Sequence, residues 1–265
     1  MEFLGYVSSV LMGMVLGLIG GGGSILTVPI LVYLFAQTPT LATGSSLFVV
    51  GSTAFAGAMS FIKAGTVRVK ESLLFAVPSI VGVLGARKII FPLIPQRIFL
   101  FDDVVLSKDI LLMILFAALM LIASLKMLRA PGATQERGQD LNVFQLVSQG
   151  LFVGLVTGFI GAGGGFLIVP ALVFVLGFRM QEAIGTSLLI IAGNSLIGFL
   201  VTMEEIEGLR WSILLPVTLL AIAGMFLGKR FQGSFSEAQL KKSFGIFVLL
   251  IGSFILADQV VRMIS

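Results

Sequence analysis

Residues 13–34 read GMVLGLIGGGGSILTVPILVYL, and residues 154–175 read GLVTGFIGAGGGFLIVPALVFV. Gly13, Gly17, Gly20, Gly22, Gly23, Val28 and Pro29 return as Gly154, Gly158, Gly161, Gly163, Gly164, Val169 and Pro170, each 141 residues later. The register carries on past the glycines: Ala42, Gly44, Ser46, Leu47 and Gly57 return as Ala183, Gly185, Ser187, Leu188 and Gly198. A Gly/Leu-rich background can produce a few identities, but not one offset held over this length, so the chain is an internal duplication. Glycine-interrupted apolar segments at corresponding places in two halves point to a membrane transporter with its site between the repeats.

Composition sets the class. Hydrophobic residues make up 57% of the 265-residue chain and charged residues 11%, where a soluble protein carries about 25% charged residues. Residues 3–62 hold no charged side chain. Further apolar runs cover 72–86, 110–125, 143–178, 183–203, 211–228 and 243–257. Most are close to the roughly 20 residues that cross a hydrocarbon core. The chain is expected to be a polytopic integral membrane protein in contact with the lipid bilayer. Its N-terminus has no basic stretch before the first apolar run, so a cleaved signal peptide is not expected. The scattered Lys and Arg make no nucleic-acid patch. There is no cysteine and no histidine, which excludes thiol chemistry and disulfides and removes the commonest general base and metal ligand. No cofactor, no metal and no catalytic residue are expected, and the chain is not expected to be an enzyme.

An unbroken helix over 3–36 would be about 50 Å long, well beyond a core of about 30 Å. The break falls at Gly20-Gly21-Gly22-Gly23, where helix propensity is lowest. This predicts arms at 3–19 and 24–36, repeated at 144–160 and 165–178. Three more crossings are predicted in each half, at 41–62, 71–90 and 109–129, then at 182–203, 210–228 and 242–261. Later in the repeat the match needs small gaps, and Gly85-Ala86-Arg87 is aligned with Gly228-Lys229-Arg230. The predicted fold is all-α: a first transmembrane repeat at 1–129, a cytoplasmic linker at 130–142 and a second repeat at 143–265. Each repeat is a Gly-broken helical hairpin plus three transmembrane helices.

An odd number of crossings per half inverts one half relative to the other. With the N-terminus outside, the inner segments hold Lys63, Arg68, Lys70, Lys126, Arg129, Arg137, Arg179, Lys229, Arg230, Lys241 and Lys242. The outer ones hold Arg87, Lys88, Arg97, Lys108, Arg210 and Arg262, with the acidic cluster Glu204, Glu205 and Glu207. That bias predicts inverted-topology repeats with both termini outside.

A helix that begins at membrane depth presents unpaired N–H groups and the positive end of its dipole, an anion site made without a basic side chain. Two such ends facing each other would take a small anion. The candidate substrate-binding residues are Gly20, Gly21, Gly22, Gly23, Ser24, Ser45, Ser46 and Thr53 in the first half. In the second half they are Gly161, Gly163, Gly164, Gly165, Thr186, Ser187 and Asn194. Ser45 aligns with Thr186, Ser46 with Ser187, and Thr53 with Asn194. Neutral hydroxyls and amides solvate an anion without burying a second charge. The competing reading is hydrogen bonding to the preceding helical turn or to a neighbouring helix. Gly13, Gly17, Gly154 and Gly158 lie four apart and fit close helix packing better than ligand contact. Pro29 and Pro170 are read as structural breaks in the short arms. Glu71 and Glu182 are read as solvated interface charges, leaving no mid-membrane carboxylate to relay protons. Tyr6, Tyr33, Arg210 and Trp211 are read as interfacial anchors.

GLIGGGGSILTVPIL and GFIGAGGGFLIVPAL, followed by ATGSSL and AIGTSL, resemble the sulfite exporter TauE/SafE family of membrane permeases, also called the toluene-sulfonate uptake permease family. The resemblance covers essentially the whole chain. It implies transport of a small sulfur-containing anion such as sulfite, thiosulfate, a sulfonate or sulfoacetate across a bacterial cytoplasmic membrane. The leading expectation is a permease for such an anion, working by alternating access of two inverted halves. A passive anion channel and a non-catalytic membrane subunit of a larger assembly stand as alternatives. The anion itself, the direction of transport, a coupling ion (H+ or Na+) and homo-oligomer formation stay open.

Overall fold

The computed structural model describes residues 2–95, 97–101, 104–129, 143–160, 165–203 and 208–264. The linker at 130–142 with Arg137 lies outside them, as do Gly161, Gly163, Gly164, Glu204, Glu205 and Glu207.

The first half holds α1 (Glu2–Ile19), α2 (Gly22–Pro29), α3 (Pro39–Lys63), α4 (Val69–Gly85) and α5 (Lys108–Arg129). The second holds α6 (Val143–Ile160), α7 (Gly165–Pro170), α8 (Met180–Thr202), α9 (Trp211–Gln232) and α10 (Glu237–Ile264). The predicted arms and crossings match these helices to within a few residues. Among the described residues, α1, α3, α4 with its extension to Ile90, α8 and α9 are long and apolar enough to cross a membrane. Their outward faces are apolar as well: Leu73, Val77 and Val81 on α4 and Leu215 and Leu219 on α9 are exposed. Such faces belong in hydrocarbon, where a helix satisfies its own backbone. The protein is therefore a multi-pass, helical membrane protein.

Two local features depart from the all-helical expectation. A short antiparallel hairpin pairs β1 (Arg97–Phe101) with β2 (Val104–Ser107), Arg97 facing Ser107. The β-branched and aromatic residues in RIFLF and VVLS favour it, in a stretch where the sequence predicts an outer segment and no strand. Both short arms also change from α to π geometry after their prolines, over Ile30–Leu34 and Ala171–Val175. Proline withholds an N–H from the helical ladder, and a wider turn takes up the mismatch. Phe35 N–H then donates to Ile30 O at 3.3 Å and Leu176 N–H to Ala171 O at 3.2 Å. Pro29 and Pro170 thus mark matching structural breaks.

Helices of one half pack on helices of the other. The main partnerships are α1 with α9, α6 with α4, α3 with α8, and α5 with α10, while α2 touches α7. Exchanging the halves maps this list onto itself. Glycine makes the closest crossings: a Cβ on Gly13 would strike Ala221 O, one on Gly17 Met225 O, one on Gly154 Ser79 O, and one on Gly158 would lie 2.7 Å from Val83 O. These glycines therefore serve close packing. The crossing also corrects the alignment. Ser79 plays the part of Ala221, and Val83 that of Met225, so Arg87 corresponds to Lys229 rather than to Arg230.

At the centre, a Cβ on Gly57 would lie 3.1 Å from Leu188, and one on Gly198 would lie 3.4 Å from Leu47. Leu47 and Leu188 are themselves equivalent positions, as are Gly57 and Gly198. Rising numbers on α3 meet falling numbers on α8, so these two equivalent helices cross antiparallel.

Candidate functional site at the paired glycine breaks

α1 stops at Gly20, whose φ of +83° is open to glycine at little cost. Gly20 N–H closes the last turn on Leu16 O at 2.8 Å, and Gly21 N–H turns back to Ile19 O at 3.1 Å. Gly21 is the N-cap of α2 and brings no side chain to satisfy the first turn. First-turn N–H groups have no partner within their own helix, and in α2 these include the N–H groups of Gly22 and Gly23. From Gly22 to Leu34 the second arm rises about 20 Å, too short for a crossing of about 30 Å.

The two breaks meet. A Cβ on Gly21 would strike the Gly165 carbonyl, and one on Gly165 would lie 2.7 Å from Gly21 Cα. A Cβ on Gly20 would lie 2.7 Å from Ser187 Oγ and 2.8 Å from Ile184 Cα. One on Gly165 would also lie 2.6 Å from Ile191 Cδ1. Ser187, Ile191 and Asn194 recur at helical spacing, so one stripe of α8 runs along the junction.

The polar candidates divide by what they bond. Ser24 Oγ donates to Gly21 O at 2.7 Å, Ser46 Oγ to Thr43 O at 2.8 Å, Thr53 Oγ1 to Val49 O at 2.7 Å and Ser187 Oγ to Ile184 O at 2.8 Å. These four spend their protons on their own helices. Thr186 Oγ1 instead accepts from the Arg68 N–H at 3.2 Å. Asn194 Nδ2 donates to Ser79 Oγ on α4 at 2.6 Å. Ser45 Oγ, Ser195 Oγ and Asn194 Oδ1 are buried with no protein partner among the described residues. Ser195 is the addition to the predicted set. Its signal was present, since it follows Asn194 in a run otherwise apolar, but no repeat partner marked it (Ala54 is the equivalent). Buried polar groups left without protein partners are uncommon and call for an explanation.

Two cations escaped the sequence reading. Arg87, in a segment expected outside, is 3% exposed, on the π turn (Ala86–Ile90) that continues α4 against α6 and α8. Its equivalent Lys229, expected in an inner loop, belongs to the last turn of α9. The Lys229 ammonium donates to Ser60 O at 2.8 Å and Ser60 Oγ at 2.6 Å, and stands 4.4 Å from the Phe61 ring centroid. A cation there suits the negative end of α3. Glu182, read as solvated, is ion-paired to Arg68 at 3.1 Å. Tyr33 OH donates to Asp258 Oδ2 at 2.8 Å, fastening the short arm to α10.

A groove of about 590 Å³ between α1, α2 and α10 is lined by Leu11, Val15, Leu18, Leu26 and Phe254. These walls suit hydrocarbon, not an anion.

The comparisons agree with this architecture. A family model described as Sulfite exporter TauE/SafE matches residues 6–255. The chain is 32% identical over 254 residues to a "Probable membrane transporter protein" of Xylella fastidiosa strain 9a5c, covering 93% of this chain and 91% of that one. It is 27% identical to the "Probable membrane transporter protein YunE" of Bacillus subtilis, covering 94% and 96% respectively. These descriptions are of transporters rather than enzymes. With the match running through both glycine breaks and the helices that frame them, the chain belongs to the sulfite exporter TauE/SafE family of membrane transporters.

Proposed function

We propose that this protein is a secondary carrier for a small sulfur-containing oxyanion or organosulfonate, such as sulfite, thiosulfate or sulfoacetate, in a bacterial cytoplasmic membrane. The observation that carries the reading is the contact of Gly21 with Gly165 against Ile191 of α8, the helix that also carries the buried, partnerless Asn194 Oδ1 and Ser195 Oγ. Helix ends and neutral dipoles at membrane depth stabilise an anion while adding no fixed charge that would hold it too tightly. Asn194 fits this role with its amide turned over, because the oxygen it leaves unpartnered is an acceptor and would repel an anion. If its Oδ1 accepts from Ser79, both Nδ2 protons turn to the anion. The sulfur chemistry comes from the family match alone.

Alternating access is supported by the reciprocal helix pairing and by the antiparallel crossing of equivalent helices α3 and α8. Odd repeats related in this way place one half inverted against the other. Any coupling ion, H+ or Na+, would be held by hydroxyls and backbone carbonyls, because the candidate site contains no carboxylate. The test is flux into liposomes containing the purified protein, with sulfite, thiosulfate, sulfate, a sulfonate and a carboxylate compared. Saturable flux of a sulfur anion is expected, and flux of the carboxylate alone would overturn the substrate class.

A further inference from the structure

The loop after α3 is fastened to the start of α8, and the fastening reaches the glycine site. The Arg68 guanidinium pairs with Glu182 at 3.1 Å and lies 4.7 Å from the Phe178 ring centroid, while its backbone N–H donates to Thr186 Oγ1 at 3.2 Å. Beside it, a Cβ on Gly185 would lie 3.1 Å from Val67 and 3.2 Å from Phe61. Thr186 adjoins Ser187, which faces Gly20. Lys229 adds a second tie between the halves through Ser60.

The opposite end has the same backbone but not the same chemistry. Arg210 caps α9 with φ −95° and ψ 86°, as Arg68 caps α4 with φ −84° and ψ 84°. Thr38 and Arg179 cap α3 and α8 with φ −63° in both cases. Yet the repeat puts Leu41 where Glu182 stands, Gln37 for Phe178, Val201 for Ser60 and Ser45 for Thr186. Among the described residues Arg210 has no ion pair, and the Gln37 amide and Ser45 hydroxyl are buried without partners. Thr186 is thus satisfied by Arg68 while its equivalent waits.

We propose that Arg68, Glu182 and Thr186 form an ion-paired gate that shuts one end of the glycine site, and that Arg210, Leu41 and Ser45 form its counterpart at the other, with leucine in place of the acid. The inference rests on the carrier reading and extends it. When the halves rock, Arg68 releases Thr186 and the Arg210 N–H takes up Ser45 Oγ. Because, among the described residues, the ion pair is found at the Arg68 end and not at the Arg210 end, the resting carrier favours the state closed at Arg68. The positive charges of Lys63, Arg68 and Lys70 make that the cytoplasmic end.

The chain has no cysteine, so single reporters can be read without background. Val67→Cys reports the Arg68 end and Leu209→Cys the other, with labelling by a charged maleimide in nanodiscs, where both faces are accessible. Loss of a half-exposed ion pair should shift the two states enough to raise Val67→Cys labelling about fivefold in Glu182→Gln. The reversed pair Arg68→Glu/Glu182→Arg should restore the parent rate. Leu41→Glu, which supplies the missing acid, should slow Leu209→Cys labelling by a similar factor. Equal rates in the parent and Glu182→Gln, or labelling of the reversed pair as fast as Glu182→Gln, would overturn the gate. Should Glu182→Gln fail to fold, the Leu41→Glu arm decides alone, and an unchanged Leu209→Cys rate overturns the proposal. Labelling needs no substrate, so these outcomes are separate from absent flux in the parent protein, which would overturn the carrier reading instead.

Discussion

Gly21→Ala is the smallest change that separates a substrate site from a packing contact. The new Cβ would strike Gly165 O and lie 2.8 Å from Gly165 Cα, both backbone atoms that cannot rotate away. The arms must separate or α2 must tilt. Overpacking of this kind costs about 1–3 kcal/mol. If the closed junction is the substrate-binding form, that penalty falls on it directly, so affinity should drop roughly 5- to 150-fold. Gly233→Ala is the control: it lies at the end of α9 with φ −66° and nothing within 4 Å of the added carbon. The assay is initial flux against anion concentration in proteoliposomes, with thermal stability of the same preparations. The half-saturating concentration should rise in Gly21→Ala and stay unchanged in Gly233→Ala. Parent-like flux and affinity in Gly21→Ala would refute the reasoning, because the junction would then be irrelevant to transport.

Other substitutions test separate links. Gly13→Ala and Gly224→Ala would press on Ala221 O and Val10 O, in the crossing of α1 with α9. Each should cost about 1–3 kcal/mol of stability, read as a lower melting temperature in detergent, and leave the half-saturating concentration unchanged. Asn194→Asp places a negative charge where an anion would sit and should abolish saturable flux, whereas Asn194→Ala should weaken it partially, by about tenfold. Lys229→Met strips the cation from Ser60 O and from the end of α3. It should lower stability by about 1 kcal/mol, seen as a modest fall in melting temperature.

How far the chain could be read follows from what each feature depends on. Helices and breaks were legible because they are local: glycine clusters end helices, and apolar length counts crossings. The packing role of Gly13, Gly17, Gly154 and Gly158 followed from their spacing, and Ala221, Met225, Ser79 and Val83 supply the partners. Arg87 escaped because its burial depends on α6 and α8 closing over the end of α4, which no local pattern announces. The shift that pairs Arg87 with Lys229 was hidden for the same reason: in a Leu/Gly-rich stretch the gap can slide by one residue until a crossing fixes it. The site residues were partly legible. The repeat drew attention to Ser45, Thr186 and Asn194, but it could not tell Ser46 or Thr53, bonded to their own helices, from hydroxyls left open. Ser195 has no repeat partner, so symmetry could not find it. The Arg68–Glu182 pair needs residues 114 positions apart, beyond any helical rule.

The measurement that bears most directly on the central claim is counterflow in liposomes loaded with unlabelled sulfite or thiosulfate, following entry of labelled anion into vesicles with and without the protein. A carrier with one site between two alternating halves predicts saturable uptake that accelerates when the same anion waits on the far side. Flux that rises linearly with concentration and ignores the trans anion would contradict it and make the protein a channel.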